Sequence, residues 1–497
     1  MIWFILFYGL ILISTSFQAG GDGPQLGLIK QWNLINYNFE WDAPVNDKNF
    51  FNDENIVATG LALSPDRIFV ATPRLFSGVP ATVSTVQRDQ FGDSPVLQAY
   101  PDWSFHTTSL GNYNCSELGL VSVYRLRIDS CNRLWALDAG VSRSLEDYEI
   151  TCPPKILIFD LATNQVVRRI DFPREVRRGE TLFTNLIVDE TTSKPENNCD
   201  DVFVYISDTV EPAIVVYDSA RDLTWRLSHP SMFPDPDFAE STIGNDKFTL
   251  MDGIVGLGFD AKAGLVYFQP LATDRLFSIS TEALRAGPFP RNQAIPVKLV
   301  GRKASQGIGL TVSPIDGSVY FSPLTETAVA SWNPVTSEQK ILAYDPEALQ
   351  FVADMSLAAD DPTGIYVISS KFHRYFLKNV NRGEINVRIL RLSAGGLGQP
   401  VLSSSNPIFG VSQGQYNQAV RPPAPYSFVP SNVQNLGAPV RFAGAGYSSK
   451  GITNPFLAIN TGKRIIQTTA VPSTSYATFS RPAFGTAYKH VHLTTRS

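Results

Sequence analysis

The chain has 497 residues, of which 43% are hydrophobic and 18% are charged. A chain of this length can hold two ordinary domains or one larger repeat fold, and its apolar fraction is sufficient for an extensive core. With 46 acidic and 41 basic side chains, it lacks the basic excess of most nucleic-acid-binding proteins, and we expect no nucleic-acid partner.

The charge is divided unevenly along the chain. Between Ser393 and Ser497 there are eight basic residues and no Asp or Glu, which leaves 33 basic and 46 acidic residues in the remainder. This last segment is rich in Gly, Pro, Ser, Thr and Ala and lacks periodic apolar patterns, so we predict a disordered tail over 393–497. Its charge is compatible with a solvated linker, with contact to the acidic body, or with an anionic partner.

The N-terminus begins with a continuous apolar run, Met1–Ser16, followed by small and polar residues. This pattern predicts a secretory signal peptide over residues 1–20, although the usual N-terminal Lys or Arg is missing. The alternative is an uncleaved membrane anchor, which needs about 20 apolar residues, more than this run provides. No other stretch is as long and apolar, so we expect a secreted protein and no membrane partner.

One local unit recurs along the chain: an apolar strand, a turn that usually contains Asp, and a second apolar strand. Six diverged copies spaced by roughly 45–70 residues are typical of a β-propeller built from four-stranded blades. We therefore predict an all-β, six-bladed β-propeller over 21–392. The copies are Thr59–Val70, Tyr124–Gly140, Asn185–Ile206, Gly253–Phe268, Gly309–Phe321 and Asp354–Ile368.

Further strands complete each predicted blade. The third strands are predicted at Ala81–Val86, Lys155–Phe159, Ala213–Tyr217, Arg275–Ser280, Ala328–Trp332 and Arg374–Leu377. Outer strands are predicted at Val166–Phe172, Thr224–Leu227 and Val297–Val300. Because an open ring would leave an unpaired edge, we place Gly27–Phe39 in the sixth blade, with Ile385–Leu392 as a competing or additional strand.

The four cysteines form an even set in a chain expected to be exported, which predicts two disulfides. Cys131 and Cys199 both occupy the turn between first and second strands, in neighbouring blades. Cys115 precedes a first strand and Cys152 follows a second, so both are expected at the opposite end of the ring. The positions favour Cys115–Cys152 and Cys131–Cys199, because other pairings would cross the length of a blade.

The rival interpretation of the cysteines is a zinc site, but no CxxC or Cys/His spacing supports it, and we predict no metal. One glycosylation sequon, Asn114-Cys115-Ser116, adjoins the first predicted disulfide. The Cys at its middle position lowers the occupancy that we expect at Asn114.

Several motifs together resemble the insect yellow / major royal jelly protein family. They are YPDWSFHTT (Tyr100–Thr108), YRLRIDSCNRLWALDAG (Tyr124–Gly140), CPPKILIFDL (Cys152–Leu161), NCDDVFVYISD (Asn198–Asp208), VYFQPLATDRLFSIST (Val266–Thr281) and PRLFSGVPATV (Pro73–Val83). The resemblance covers roughly Leu28–Leu392 and excludes the tail. It implies a six-bladed propeller, secretion, and a role in cuticle pigmentation, melanin formation, development or secreted fluids. It also makes a cuticle matrix a candidate partner for the tail.

Standard catalytic motifs are absent. The sequence has no nucleophile elbow, phosphate loop, HExxH or dinucleotide fingerprint, and we predict no cofactor. The histidines show no spacing typical of a metal site; His106 and His229 are more often hydrogen-bonded loop residues than catalysts. The five are His106, His229, His373, His490 and His492.

The channel mouth is the better candidate for a site. In a propeller, the starts of the first strands and the loops between second and third strands converge at one end of the axis. The residues that we expect there combine carboxylates, aromatic rings and hydrogen-bonding groups, which suits a catechol or biogenic amine. They are Tyr124, Phe183, Thr184, Asn185, Asp252, Asp354 and Phe372, with Asp138 and Asp208 as further candidates. For each of the aspartates the alternative is that it caps a strand end and binds backbone amides.

Two enzyme hypotheses and one binding hypothesis follow. The family resemblance includes conversion of dopachrome, a tautomerisation that needs a base and an acid; Asp252 or Asp354 would be the base, with His373 or Tyr124 as the acid. A calcium-dependent lactonase is a second enzyme hypothesis, because Asn185, Asp252 and Asp354 form a partial ligand set. The main alternative is a non-enzymatic protein that binds biogenic amines in the central channel or has a structural role.

Overall fold

The structure is a computed structural model that describes residues 24–393, apart from 91, 111–113, 194–198 and 291–292. The predicted signal peptide and the predicted tail from residue 394 onward lie outside the described residues. Among the residues that are described, no helix has the length and apolar character needed to cross a membrane.

Within the described residues, six four-stranded antiparallel sheets form the blades. Blade 1 contains the strands Gly60–Leu63, Arg67–Ala71, Val83–Gln87 and Gln98–Ala99. Blade 2 contains Val123–Ile128, Arg133–Asp138, Lys155–Asp160 and Val166–Asp171. Blade 3 contains Phe183–Asp189, Phe203–Asp208, Ala213–Asp218 and Leu223–Leu227. Blade 4 contains the strands Ile254–Asp260, Leu265–Pro270, Arg275–Ser280 and Lys298–Arg302. Blade 5 contains Leu310–Val312, Val319–Phe321, Ala328–Trp332 and Gln339–Tyr344. Blade 6 contains Val352–Ala358, Asp361–Ser369, Val387–Ser393 and Gln25–Trp32.

Short hairpins, helices and 3-10 turns lie outside the strands of the blades. Two hairpins pair Val141–Ser142 with Glu149–Ile150 and Glu240–Ile243 with Asp246–Thr249. The short α-helices are Thr281–Arg285 and Phe372–Phe376, and we call the latter the mouth helix. The 3-10 turns are Asp53–Asn55, Trp103–Leu110, Pro230–Met232 and Pro236–Phe238.

The turn between first and second strands is built by its aspartate. In blade 2, the Asp129 carboxylate accepts hydrogen bonds from the backbone of Cys131 and Arg133 and from the Trp135 indole, the last at 2.7 Å. Asp260 accepts the backbone N–H groups of Lys262 and Ala263 in the same way in blade 4. Aspartate favours such turns because its short carboxylate reaches the backbone two or three residues ahead.

The hydrophobic core lies between neighbouring blades. Trp135 and Ile158 of blade 2, for example, are buried in one cluster with Phe183 and Val204 of blade 3. Equivalent clusters join blades 1 and 2, 3 and 4, 4 and 5, 5 and 6, and 6 and 1. These contacts close the blades into a ring, with the first strands nearest its axis. The prediction of a six-bladed propeller is confirmed.

The sixth blade differs from its prediction in one strand. The predicted third strand at Arg374–Leu377 is wrong, because the mouth helix occupies this position and Val387–Ser393 is the third strand. The N-terminal strand Gln25–Trp32 pairs with Val387–Ser393 and forms the outer edge, so both candidate closing strands are used. The ring is therefore closed by hydrogen bonds between the two ends of the propeller.

Both predicted disulfides are present. Cys115 and Cys152 are joined with a Cα–Cα distance of 5.5 Å, and Cys131 and Cys199 with a distance of 6.3 Å. The second bond links the first turn of blade 2 to the corresponding turn of blade 3. It therefore ties two neighbouring blades together at the end of the ring away from the starts of the first strands.

Candidate functional site

The starts of the first strands share one end of the ring with the loops between second and third strands. We call this end the axial mouth and define it by Tyr124, Thr184, Asp252, Phe372 and Tyr375. Two buried apolar clusters lie here, and the partly buried rings of Phe372 and Phe376 pack against both of them. The mouth helix thus places aromatic rings over the end of the axis.

Asp252 is the most unusual group at the axial mouth. It lies just before the first strand of blade 4 and is only 8% exposed, yet its Oδ1 atom has no hydrogen-bond partner among the described residues. Burial raises the pKa of this carboxyl group to about 7. A group with this pKa exists in both protonation states near neutral pH, which suits proton transfer.

Tyr124 lies at the same end of the ring, on the first strand of blade 2. Its hydroxyl group is hydrogen-bonded to Ser144 Oγ at 2.8 Å. Burial raises the pKa of Tyr124, the Ser144 hydrogen bond opposes this rise, and the charge of Asp252 adds to it. Tyr124 in blade 2 and Asp252 before blade 4 therefore interact electrostatically, although blade 3 lies between their blades.

Other buried polar atoms at the same end also lack protein partners. Among the described residues they include Gln350 Oε1, Ser370 Oγ and Tyr375 Oη, all less than 9% exposed. Buried polar atoms usually satisfy their hydrogen bonds, so this end of the ring carries a group of polar atoms with unused hydrogen-bonding capacity. Asp252 Oδ1 belongs to this group.

Thr184 lies on the first strand of blade 3, the blade next to the one that Asp252 precedes. Its hydroxyl is 2.5 Å from Thr209 Oγ1 and 3.2 Å from Ser207 Oγ, and Thr209 in turn donates to the carbonyl of Ile254. This chain of hydroxyl groups connects the first strands of blades 3 and 4. It supplies hydrogen-bonding groups to the wall on which Asp252 stands.

Asn185 and Asp354 come together in a different place, deeper along the axis. The Asp354 carboxylate contacts Arg125 at 2.8 Å and Arg127 at 3.0 Å and accepts the backbone N–H of Leu61. Arg127 also donates to Asn185 Oδ1 at 3.1 Å. We call these five residues the axial network; it links blades 6, 1, 2 and 3.

The axial network extends to blade 4 and forms the floor of the mouth. Asn185 Nδ2 donates to the carbonyl of Val255, three residues beyond Asp252. Burial raises the pKa of Asp354, but the Arg125 and Arg127 guanidinium groups outweigh it and hold that pKa below its ordinary value. Asp354 is therefore an ionised partner of two arginines, and both of its oxygens already accept hydrogen bonds.

Arg125 and Arg127 are the residues that the motif-based prediction missed. They alternate with Tyr124 and Leu126 in a strand whose first four residues are all buried. A charge in such a strand needs a buried partner of opposite sign, so the YRLR pattern contained a signal for an internal carboxylate. The sequence did not indicate that Asp354, more than two hundred residues away, is that partner.

Three of the other predicted residues lie in structural positions. Phe183 packs edge-on against Phe172 at 4.8 Å in the core between blades 2 and 3, away from the mouth. Asp138 pairs with Lys155 at 2.8 Å and accepts the backbone N–H groups of Val121 and Ser122. Asp208 pairs with Arg226 at 2.8 Å and accepts the backbone N–H of Leu182.

His373 is fully buried in the mouth helix. Its ring stacks on Phe248 with centroids 5.7 Å apart, and its Nε2 atom lies 3.4 Å from Asp246. Burial lowers the pKa of His373 to about 4, although Asp246 opposes this shift. The histidine is neutral at neutral pH. Phe372, next to it, packs against Phe351 with centroids 4.8 Å apart.

The remaining candidates have simple surroundings. His106 is held between the backbone of Thr82 and Tyr100, and His229 caps a 3-10 turn. Asn114 is exposed, and its side chain accepts hydrogen bonds from Ser116. Among the residues that the structure describes, no group of three or more His, Cys, Asp or Glu is arranged to hold a metal ion. His490 and His492 lie outside the described residues.

These features define a six-bladed β-propeller whose axial mouth combines a buried, unpartnered carboxyl group with hydroxyl groups and aromatic rings. The sequence model described as Major royal jelly protein matches residues 121–400, and the chain belongs to this family. The family resemblance inferred from the motifs is confirmed.

Three relatives illustrate the range of the family. Major royal jelly protein 1 of Apis mellifera is 27% identical over 394 residues, which cover 75% of this chain and 88% of that protein. Dopaminechrome tautomerase of Drosophila melanogaster is 25% identical over 390 residues, covering 74% and 81%. Protein yellow of Drosophila yakuba is 28% identical over 374 residues, covering 72% and 67%.

Proposed function

We propose that the protein acts outside the cell in cuticle pigmentation, melanin formation or development, by converting or binding a catechol- or indole-derived small molecule at the axial mouth. The observation that carries this proposal is Asp252, whose buried carboxyl group has one unpartnered oxygen and a pKa near neutrality. A relative over most of the chain bears the name dopaminechrome tautomerase, which supports the substrate class.

Conversion requires a proton to leave carbon and another to reach an oxygen of the quinone. Asp252 is the base in this proposal, because its ionised form is desolvated and readily takes a proton, and its neutral form is stable enough to give one back. Tyr124, which is hydrogen-bonded to Ser144 at the same end of the ring, orients the quinone oxygen or donates to it. The rings of Phe372 and Phe376 cover the end of the axis and would shield the reaction from water.

Binding without conversion is the second candidate function, and the same geometry favours it. An ionised Asp252 would pair with the ammonium group of dopamine or serotonin, and the aromatic rings of the mouth would contact the ligand's ring and its cation. Thr184 and Thr209 supply partners for ligand hydroxyl groups.

The test is the loss of dopaminechrome absorbance over time in the presence of purified protein. We expect the native chain to accelerate this loss, Asp252→Asn to reduce the accelerated rate by about 100-fold or more, and Asp260→Asn to leave it unchanged. Asp260 is a matched control because it is also 8% exposed and lies in blade 4, where it supports a turn. The rate should rise with pH as Asp252 ionises around pH 7.

The two candidate functions separate cleanly in this design. If the native chain does not exceed the spontaneous rate, conversion fails and titration calorimetry with dopamine and serotonin tests binding. Heat that is lost in Asp252→Asn but kept in Asp260→Asn supports the binding protein. Absence of heat with both amines would contradict the whole proposal.

Secretion is part of the proposal. Two disulfides join four cysteines that are otherwise distant in sequence, and such bonds persist in oxidising compartments. The apolar run at the N-terminus supports the same location. Expression of the full chain in insect cells should place it in the medium, and a chain lacking residues 1–20 should stay inside the cells.

A further inference from the structure

A cavity lies on the outer side of blade 1, away from the axial mouth. It has a volume of about 390 Å³. Its walls come from the outer strands of blade 1, from residues 38–40 of the chain leaving blade 6, from the start of the 3-10 turn Trp103–Leu110, and from Asn164 in a turn of blade 2.

One wall of this cavity is aromatic and well supported. Phe39 and Trp103 stack with ring centroids 5.4 Å apart and an angle of 20° between their planes. The Trp103 indole N–H donates to the carbonyl of Asn38 at 3.1 Å, and Tyr37 packs edge-on against the same ring. These contacts hold the wall in place before any ligand arrives, which reduces the entropy lost on binding.

The rim consists of planar polar groups with unused hydrogen-bonding capacity. The Asn38 amide donates to Gln98 Oε1 at 3.1 Å, which leaves the Gln98 amino group free to donate further. Within the described part of the chain, the exposed side chains of Glu40 and Gln87 form no hydrogen bond or ion pair. Donors and acceptors are therefore arranged around an aromatic surface.

The charges of the lining restrict the class of ligand. Arg67 is the basic residue among the described residues that line the cavity, and it is already engaged with Asn164 Oδ1 at 2.8 Å and the Leu161 carbonyl at 2.7 Å. Glu40 and Asp102 add two carboxylates. A phosphate or a carboxylate would be repelled, and a purely apolar molecule would leave the polar rim unpaired.

We propose that this cavity is a binding site for a neutral saccharide. A pyranose ring offers an apolar C–H face for the Trp103 and Phe39 wall and equatorial hydroxyl groups for the amides and carboxylates of the rim. The site shares no residue with the axial mouth, so its ligand is bound independently of the function proposed there.

The experiment is titration calorimetry of the full chain with tri-N-acetylchitotriose and with cellotriose. We expect heat with at least one of them, and a change in tryptophan emission that is lost in Trp103→Phe. Glu40→Gln and Gln87→Ala should each weaken binding by about threefold to tenfold, the usual effect of one hydrogen bond. Both side chains are exposed and form no hydrogen bond or ion pair with the described residues, so these variants should fold like the native chain.

The controls separate this site from the rest of the molecule. Glu175→Gln changes an exposed glutamate of blade 2 outside the cavity and should leave affinity unchanged. Asp252→Asn should also leave it unchanged, whatever its effect at the axial mouth. Absence of heat with both sugars, affinity insensitive to Glu40→Gln and Gln87→Ala, or dopamine binding that these two variants abolish would each overturn the proposal.

Discussion

At the scale of single residues, two carboxyl groups predicted for the same site have opposite properties. Asp354 meets two guanidinium groups and is held ionised, whereas Asp252 meets none and has a pKa raised to about 7. Both lie near the start of a first strand, so their position in the repeat does not distinguish them. The difference depends on Arg125 and Arg127, which reach Asp354 from another blade.

The raised pKa of Asp252 makes a prediction about stability and pH. The folded chain keeps this carboxyl group protonated up to about pH 7, whereas the unfolded chain ionises it near its ordinary pKa of 3.8. The folded state therefore binds more protons between these values, and stability falls as the pH rises through this window. The cost is on the order of 4 kcal/mol at pH 8, since each unit of pKa shift corresponds to about 1.4 kcal/mol.

Asp252→Asn should remove this cost. We expect the free energy of unfolding of the variant to exceed that of the native chain by about 2–4 kcal/mol at pH 8, and the two to converge near pH 4. Urea unfolding at both pH values measures the difference. Asp260→Asn is the control: it retains Asp252, so its stability should fall with pH as that of the native chain does. A native chain whose stability is flat between pH 4 and pH 8 would contradict the assignment.

At the scale of elements, the first two strands of every blade were predictable from the repeated unit of an apolar strand, a turn that usually contains Asp, and a second apolar strand. The three parts of this unit follow one another directly in the sequence. The mouth helix was not predictable in the same way. The segment FHRYFL has aromatic and aliphatic residues that fit alternation as well as helical spacing, and alternation predicts a strand over Arg374–Leu377. In the structure Phe372 and Phe376 lie one turn apart, and both contact the clusters at the axial mouth.

Closure of the ring at its outer edge gives the second prediction. Trp32 ends the N-terminal strand with 1% exposure, packs between blades 6 and 1, and donates its indole N–H to the carbonyl of Pro95 at 2.7 Å. Trp32→Ala should lower the free energy of unfolding by about 3–5 kcal/mol through the cavity and the lost hydrogen bond.

The matched control for this variant is Trp41→Ala. Trp41 is 96% exposed, and its truncation should change stability by no more than about 0.5 kcal/mol. Thermal unfolding of the two variants beside the native chain provides the comparison. Equal melting temperatures for Trp32→Ala and Trp41→Ala would mean that the N-terminal strand does not secure the sixth blade.

At the scale of the whole molecule, the sequence predicted the number of blades and both disulfides, because each depends on order along the chain. It did not predict what occupies the centre. Polar contacts there join residues between 58 and 293 positions apart, and no local pattern specifies such pairs. The axial network spans blades 6, 1, 2, 3 and 4, so the axis is bridged by side chains below the mouth.

This bridge gives the last prediction. Asp354→Asn leaves the guanidinium groups of Arg125 and Arg127 without their counterion in a region where the side chain of Arg125 is 3% exposed. We expect a loss of about 3–5 kcal/mol in the free energy of unfolding, because the remaining buried charge is uncompensated.

Asp361→Asn is the control in the same blade: Asp361 pairs with Arg391 at side-chain exposures of 17% and 32%, and its loss should cost about 1 kcal/mol or less. Urea unfolding of both variants at pH 7 gives the two values. If Asp354→Asn cost no more than Asp361→Asn, the axial network would not contribute to closing the ring, and the remaining contacts between blades would suffice.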